Sequence, residues 1–176
     1  LKKNMKNKLL LISLTSIFII IFVIFYKGLQ DTNIYTPESK MNNKIPLFTA
    51  NLFYSGEVIN SSELFISNRF YLLNIWSSWC VPCRQEHSFL MDFSDNEKVT
   101  VIGINYKDTK SNAKSFLDEL GNPYEEIIFD ERGINAIEWG AYGVPESFLI
   151  HNGVVIRKYI GPLNEKLVKE IESSIK

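Results

Sequence analysis

Cys80 and Cys83 are the only cysteines of this 176-residue chain, and two residues separate them. A run of strand-forming residues, Phe70–Trp76, precedes the pair, and apolar residues at helical spacing follow it. The first turn of a helix carries unpaired N–H groups and partial positive charge, which stabilise a thiolate and lower its pKa. A separation of three residues also brings the second sulfur within disulfide reach of the first. The pair therefore indicates a redox-active dithiol.

Other chemistries of a cysteine pair fit this sequence less well. A structural disulfide that closes so short a loop would add little stability. A zinc site would need His87 and His151 as further ligands, and their spacing matches no zinc finger. Haem attachment requires a histidine directly after the second cysteine, where this chain has Arg84. We therefore expect no metal and no cofactor.

Charge is distributed unevenly along the chain. The first acidic residue, Asp31, is preceded by five lysines: Lys2, Lys3, Lys6, Lys8 and Lys27. The remainder carries 14 basic against 20 acidic residues. An acidic domain of this kind lacks the basic face that nucleic-acid binding requires, so we expect no nucleic-acid partner.

The segment Leu9–Tyr26 is apolar except for Ser13, Thr15 and Ser16. As a helix it would span about 27 Å, enough for a bilayer core. The lysines on its N-terminal side place residues 1–8 in the cytoplasm and the rest of the chain in the periplasm or an equivalent space. A cleaved signal peptide is the alternative, but its apolar region is usually shorter, and no small-residue cleavage site follows. We predict a single-pass inner-membrane anchor (9–26), a tether (27–44) and a folded domain (45–176).

The folded domain is predicted to be α/β. Strand composition at Phe48–Tyr54 before a turn indicates an N-terminal β-hairpin extension, and Val99–Asn105 is typical of a buried parallel strand. Thr109 can cap a helix that Gly121 ends. The remaining patterns are a short strand at Ile127–Phe129, a hairpin turn at Asn152-Gly153 and a final amphipathic helix, Leu163–Ile175. The order βαβαβ, hairpin, helix predicts a mixed central sheet flanked by helices on both faces.

Three stretches resemble the membrane-anchored DsbE/CcmG family of the thioredoxin-like superfamily: Leu73–His87, Leu120–Tyr124 and Tyr142–Ile150. The resemblance implies a thioredoxin-like fold and a protein-disulfide reductase that keeps the haem-attachment cysteines of apocytochrome c reduced. It also implies electron supply from a membrane thiol donor of the DsbD or CcdA type. Ser88 departs from the family, many of whose members have a proline there.

Two other functions remain open at this point. A general extracytoplasmic thiol reductase would differ only in its substrate. A copper-delivery protein of the Sco type would also be anchored and thioredoxin-like. The motif of that family is Cys-x3-Cys with a distant histidine, whereas this chain has Cys-x2-Cys.

The expected roles begin with the dithiol. Cys80, at the helix start and nearer solvent, attacks the substrate, and Cys83 resolves the mixed disulfide. Pro82 begins the helix, where its missing N–H is not needed. Trp79 either shields the pair as a flat apolar neighbour or is a core residue.

Glu86 shares a helix face with Cys83. It is either a solvated helix glutamate or a partly buried carboxylate that accepts the Cys83 proton. In the second case its charge would oppose thiolate formation and make the protein less oxidising.

The family resemblance further implies that Pro145 is cis, so that Val144 presents its backbone beside Cys80, where an extended substrate can add as a strand. Glu146 either helps to select the substrate or is an exposed edge charge. We expect His87 at the surface or tuning the site, and His151 as an ordinary strand residue.

Overall fold

The structure, a computed structural model, describes residues 2–30, 44–65 and 68–175 of the chain. Two units are distinguished, Leu1–Pro37 and Glu38–Lys176. The described part of the first unit is one helix, α1 (Lys2–Gln30), whose apolar side chains from Leu11 to Tyr26 are exposed. Residues 31–43, most of the predicted tether, lie outside the described residues.

Among the helices in those ranges, none combines the length and the apolar character needed to cross a membrane.

In the second unit a hairpin precedes one central sheet. The hairpin consists of β1 (Thr49–Asn51) and β2 (Val58–Asn60), and α2 (Ser61–Leu64) follows it. The sheet strands are β3 (Phe70–Trp76), β4 (Val99–Tyr106), β5 (Glu126–Asp130), β6 (Glu146–His151) and β7 (Val154–Ile160). The connecting and final helices are α3 (Val81–Ser94), α4 (Lys110–Leu120), α5 (Ile134–Glu138) and α6 (Glu165–Ser174).

The sheet order is β5-β4-β3-β6-β7. Strands β3, β4 and β5 are parallel, whereas β6 and β7 are antiparallel to their neighbours. The carboxyl ends of β3, β4 and β5 therefore share one edge of the sheet. Because Ile75 pairs with Glu146, the segment that enters β6 lies at the same edge. Ligand sites of open α/β sheets form at such an edge.

Alternate residues of β3 point to opposite sides of the sheet, as the period of a strand requires. Leu72 and Trp76 pack into a core with α3, α4 and α6, which also contains both cysteines. Leu73 and Ile75 pack into a second core with α2 and α5. Each face of β3 is thus buried, so the strand reads as a nearly continuous apolar run.

Local signals fix several element ends as predicted. The Thr109 hydroxyl accepts the Asn112 N–H at the start of α4, and Gly121 ends that helix with a φ of 93°. Asn152 and Gly153 both have positive φ in the β6–β7 turn, which is the Asn-Gly hairpin expected from the sequence. The predicted mixed sheet and N-terminal hairpin are confirmed. Helix α5 was not predicted, because its five residues are too few to show a helical period.

Candidate active site

The two cysteines form a disulfide at the start of α3. Cys80 is the N-cap residue, and its sulfur accepts the Cys83 N–H at 3.1 Å. Pro82 lies in the first turn, where no intrahelical N–H donor is required. A thiolate at Cys80 would face the unpaired N–H groups of this turn, which is the environment that stabilises it.

Both cysteines are buried, and Cys80 is only slightly more exposed than Cys83, in the order predicted. In this disulfide form Cys80 is 4% exposed and Cys83 2%. The surface beside them is provided instead by Trp79, 57% exposed, and Val81, 68% exposed. The alternative in which Trp79 is a core residue is therefore wrong. Its indole stands on the surface because its N–H is held by the Lys107 carbonyl, at 3.0 Å.

A carboxylate that sequence reasoning missed binds the segment in front of Cys80. Asp108 accepts hydrogen bonds from the Ser78 N–H at 2.7 Å and the Ser78 hydroxyl at 2.9 Å. It also accepts from Asn105 Nδ2 and from the Thr109 N–H. The available signal was its position, two residues after a buried parallel strand, at the edge where such sheets place their sites.

Glu86 is fully buried, so the solvated alternative is wrong. Its Oε1 accepts from Asn74 Nδ2 at 2.8 Å, and its Oε2 accepts from the Leu163 N–H at 2.7 Å. Burial raises the pKa of Glu86 to about 7, although these two hydrogen bonds act in the opposite direction. The side chain can therefore gain or lose a proton near neutral pH.

Asn74 connects Glu86 to two further buried groups. Its Nδ2 also donates to the Ser147 hydroxyl at 3.0 Å, and its Oδ1 accepts from the Tyr124 hydroxyl at 2.9 Å. Burial, and secondly the nearby Glu86 carboxylate, raise the pKa of Tyr124 well above its usual value, so its hydroxyl remains a donor. None of these three was singled out from the sequence, although a lone asparagine within the apolar strand β3 was a visible signal.

The peptide bond between Val144 and Pro145 is cis, as the family resemblance implies. Val144 packs against both cores, one of which contains the cysteines. Glu146 is not an exposed edge charge. It is 1% exposed and accepts from the N–H groups of Tyr142 and Gly143, at 2.7 and 3.1 Å.

Lys158 of β7 completes the arrangement around Glu146. Its Nζ lies 2.8 Å from Glu146 Oε2 and donates to the Gly140 carbonyl, also at 2.8 Å. The same ammonium lies 4.4 Å from the centre of the Tyr142 ring. The Glu146 carboxylate is thus directed inward and bound to the loop Gly140–Pro145.

The two histidines do not meet at a common metal site with the cysteines. His87 is buried, not at the surface, and its Nε2 lies 3.0 Å from the Gly121 carbonyl oxygen. His151 ends β6 and stacks on Phe70 with ring centroids 4.1 Å apart. Phe70 begins β3, whereas Cys80 follows its other end, a separation of about 20 Å along the strand. His151 therefore cannot complete a metal site with the cysteines.

Comparisons with known proteins agree with this architecture. The Redoxin family matches residues 40–175. The thiol:disulfide interchange protein DsbE of Haemophilus influenzae is 36% identical over 167 residues, covering 93% of this chain and 91% of the relative. DsbE of Escherichia coli K12 is 34% identical over 174 residues, covering 94% and 92%. A crystal structure described as DsbE from Chlorobium tepidum, 26% identical, has a TM-score of 0.62 and covers 77% of this chain and 98% of that one.

A thioredoxin-like fold with a disulfide-bonded Cys-x-x-Cys pair at a helix start defines a thiol:disulfide oxidoreductase. The relatives that match nearly the whole chain are thiol:disulfide interchange proteins. The chain belongs to the DsbE/CcmG family.

Proposed function

We propose that this protein is a dithiol reductase of the haem-attachment cysteines of apocytochrome c, acting in cytochrome c maturation on the periplasmic side of the inner membrane. The observation that carries the proposal is the pairing of the Cys80–Cys83 disulfide with the buried Glu86 on the same helix. The choice of substrate is supported by the resemblance to the DsbE/CcmG family, which implies a role in cytochrome c maturation.

The proposed reaction is a two-step exchange. In the reduced protein the Cys80 thiolate attacks one sulfur of the substrate disulfide, and the other substrate sulfur leaves as a thiolate. Cys83 then attacks the Cys80 sulfur, which breaks the mixed disulfide and forms the Cys80–Cys83 bond. Two electrons pass to the substrate, and the protons of the two protein thiols end on the two substrate thiols.

The direction of the exchange is supported by the charge of Glu86. An ionised carboxylate on the same helix face as Cys83 opposes thiolate formation, which destabilises the reduced state of the protein. Strongly oxidising members of this class have a stabilised thiolate, so Glu86 favours reduction of the substrate. The disulfide form must then be reduced again, and we propose a membrane thiol donor of the DsbD or CcdA type.

Membrane anchoring by residues 9–26 is part of the proposal. The support is the apolar sequence of this segment and the lysines that precede it. The test is extraction of membranes with alkaline carbonate from cells that express the full chain. Retention in the membrane pellet is expected, and release into the supernatant would contradict the anchor.

The test of the activity compares two substrates for the reduced full chain. One is a peptide with an oxidised Cys-x-x-Cys-His motif, and the other is insulin, an unrelated disulfide protein. We expect faster reduction of the peptide, and trapping of a mixed disulfide through Cys80 in a Cys83→Ser variant. Equal rates would favour the general thiol reductase, and no reduction of either substrate would overturn the proposal.

A further inference from the structure

The connector between β3 and α3, residues Ser77–Cys80, has little regular structure to hold it. Within the described residues its backbone makes one turn-type hydrogen bond to itself, from the Cys80 N–H to the Ser77 carbonyl at 3.2 Å. Cys80 nevertheless has to occupy the N-cap position of α3 for its sulfur to meet the Cys83 N–H. Something outside the connector must therefore fix its path.

All three residues in front of Cys80 donate hydrogen bonds to one short segment, Tyr106–Asp108, at the end of β4. The Ser77 hydroxyl donates to the Tyr106 carbonyl, and the Trp79 indole N–H donates to the Lys107 carbonyl. Ser78 donates to Asp108 with both its N–H and its hydroxyl. In these contacts every donor belongs to the connector, and every acceptor belongs to the segment Tyr106–Asp108. Each of the three residues in front of Cys80 is therefore bound to that segment.

The holding segment is itself fixed. Lys107 has a φ of 45°, a conformation that a non-glycine residue keeps only when its surroundings impose it. Its N–H donates to the Asp130 carbonyl at 3.0 Å, while its own carbonyl binds the Trp79 indole. Asp108 is 7% exposed, and Asn105 and Thr109 supply its two remaining donors.

We propose that Asp108 is a positioning residue for thiol–disulfide exchange: it fixes the connector Ser77–Cys80 and thereby holds Cys80 at the start of α3. Asp108 acts through geometry, because its carboxylate is already bound by four donors. The neighbouring Lys107 carbonyl accepts the Trp79 indole N–H, and Trp79 stands as an exposed apolar wall beside Cys80. This inference rests on the exchange chemistry of the proposed function and not on the identity of its substrate.

Two variants separate geometry from charge. Asp108→Ala removes both the acceptor and the negative charge, whereas Ser78→Ala removes one hydrogen bond of the same contact and leaves the charge. Asp118→Asn is the matched control, because it removes an exposed carboxylate that pairs with Lys114 on the surface of α4. All are made in the full chain with Cys83→Ser, so that Cys80 is the only thiol.

The first readout is the rate at which iodoacetamide alkylates Cys80 at pH 7, which follows the thiolate fraction. Loss of the N-cap geometry should slow alkylation about fivefold in Asp108→Ala and less in Ser78→Ala. The second readout is acrylamide quenching of Trp79 fluorescence, with a Trp79→Phe protein as the baseline for the buried Trp76 and Trp139. Quenching should increase in both variants and stay unchanged in Asp118→Asn.

Two results would overturn the inference. If Asp108 acts by its charge, Asp108→Ala will accelerate alkylation and Ser78→Ala will leave it unchanged. If Asp108 is only a stability residue, the melting temperature will fall while the alkylation rate and Trp79 quenching keep their original values. Neither readout uses a substrate disulfide, so failure here is distinct from failure of the reductase assay with the haem-attachment peptide.

Discussion

The side-chain amide of Asn74, on the central strand, donates a hydrogen bond of 2.8 Å to Glu86 Oε1, on the cysteine helix. Tyr124 donates to the oxygen of the same amide, which orients the amide nitrogen toward Glu86. The Glu86 carboxylate thus accepts two hydrogen bonds, from Asn74 and from the Leu163 N–H, and such donors favour its ionised form. Burial outweighs them and raises the pKa of Glu86 to about 7, so this buried group titrates near neutral pH.

Glu86 should make the folded protein less stable as the pH rises from about 4.5 to about 7. In this window the folded protein retains a proton on Glu86 that the unfolded chain has released, so raising the pH favours unfolding. The full effect is about 3 kcal/mol. Urea unfolding of the disulfide form should show this loss in the natural chain and not in Glu86→Gln. The exposed Glu97→Gln is the control, and parallel profiles for Glu86→Gln and the natural chain would refute the assignment.

Glu86→Gln should also change the dithiol. Removing a carboxylate from the helix face of Cys83 removes a charge that opposes the thiolate, so the thiol pKa should fall. The variant should accordingly become more oxidising, with a higher reduction potential for the Cys80–Cys83 pair. Equilibration with glutathione measures the reduction potential of the pair, and the rate of alkylation as a function of pH measures the thiol pKa. An unchanged thiol titration would exclude Glu86 as the group that tunes the pair.

The dithiol chemistry and the order of helices and strands could be predicted from the sequence, because both depend on local patterns. Two cysteines at a strand–helix junction, the capping residue Thr109 and the Asn152-Gly153 turn each act over a few residues. The parallel order of β3 and β4 follows from the helix between them. These features can be recognised without knowing which elements pack against each other in the folded protein.

The polar contacts around the site could not be predicted in the same way. Asp108 meets Ser78 thirty positions away, and Tyr124 meets Asn74 fifty positions away, only because the sheet brings them together. Burial of charge is equally a tertiary property. Helical spacing placed Glu86 on the face of Cys83, but it gave no sign that the connector between β7 and α6 would direct the Leu163 N–H at its carboxylate.

His87 should oppose the effect of its neighbour Glu86 on stability. Burial lowers the pKa of His87 below 6.5, so the unfolded chain binds a proton there that the folded protein does not. Stability from this residue is therefore present above about pH 6.5 and is lost as the pH falls below that value. In Glu86→Gln, where the competing slope is absent, the free energy of unfolding should fall on acidification below pH 6.5. Adding His87→Gln should flatten that profile, and persistence of the slope would show that another group causes it.

The buried ion pair between Glu146 and Lys158 should hold the loop that ends at Pro145. Lys158→Met leaves the Glu146 carboxylate without its cation in the protein interior, which should cost about 3 kcal/mol of unfolding free energy. Because Lys158 also binds the Gly140 carbonyl, the KM for a peptide disulfide should rise while the reduction potential of the dithiol stays constant.

The neighbouring Arg157→Met is the control for that prediction. It removes a cation from the same strand, but its pair with Glu170 is exposed and 3.5 Å long, so the loss should be at most about 1 kcal/mol. The double variant Glu146→Gln with Lys158→Met should recover part of the stability, since no unpaired charge then remains buried. Equal losses for Lys158→Met and Arg157→Met, with an unchanged KM, would show that the ion pair does not hold the loop.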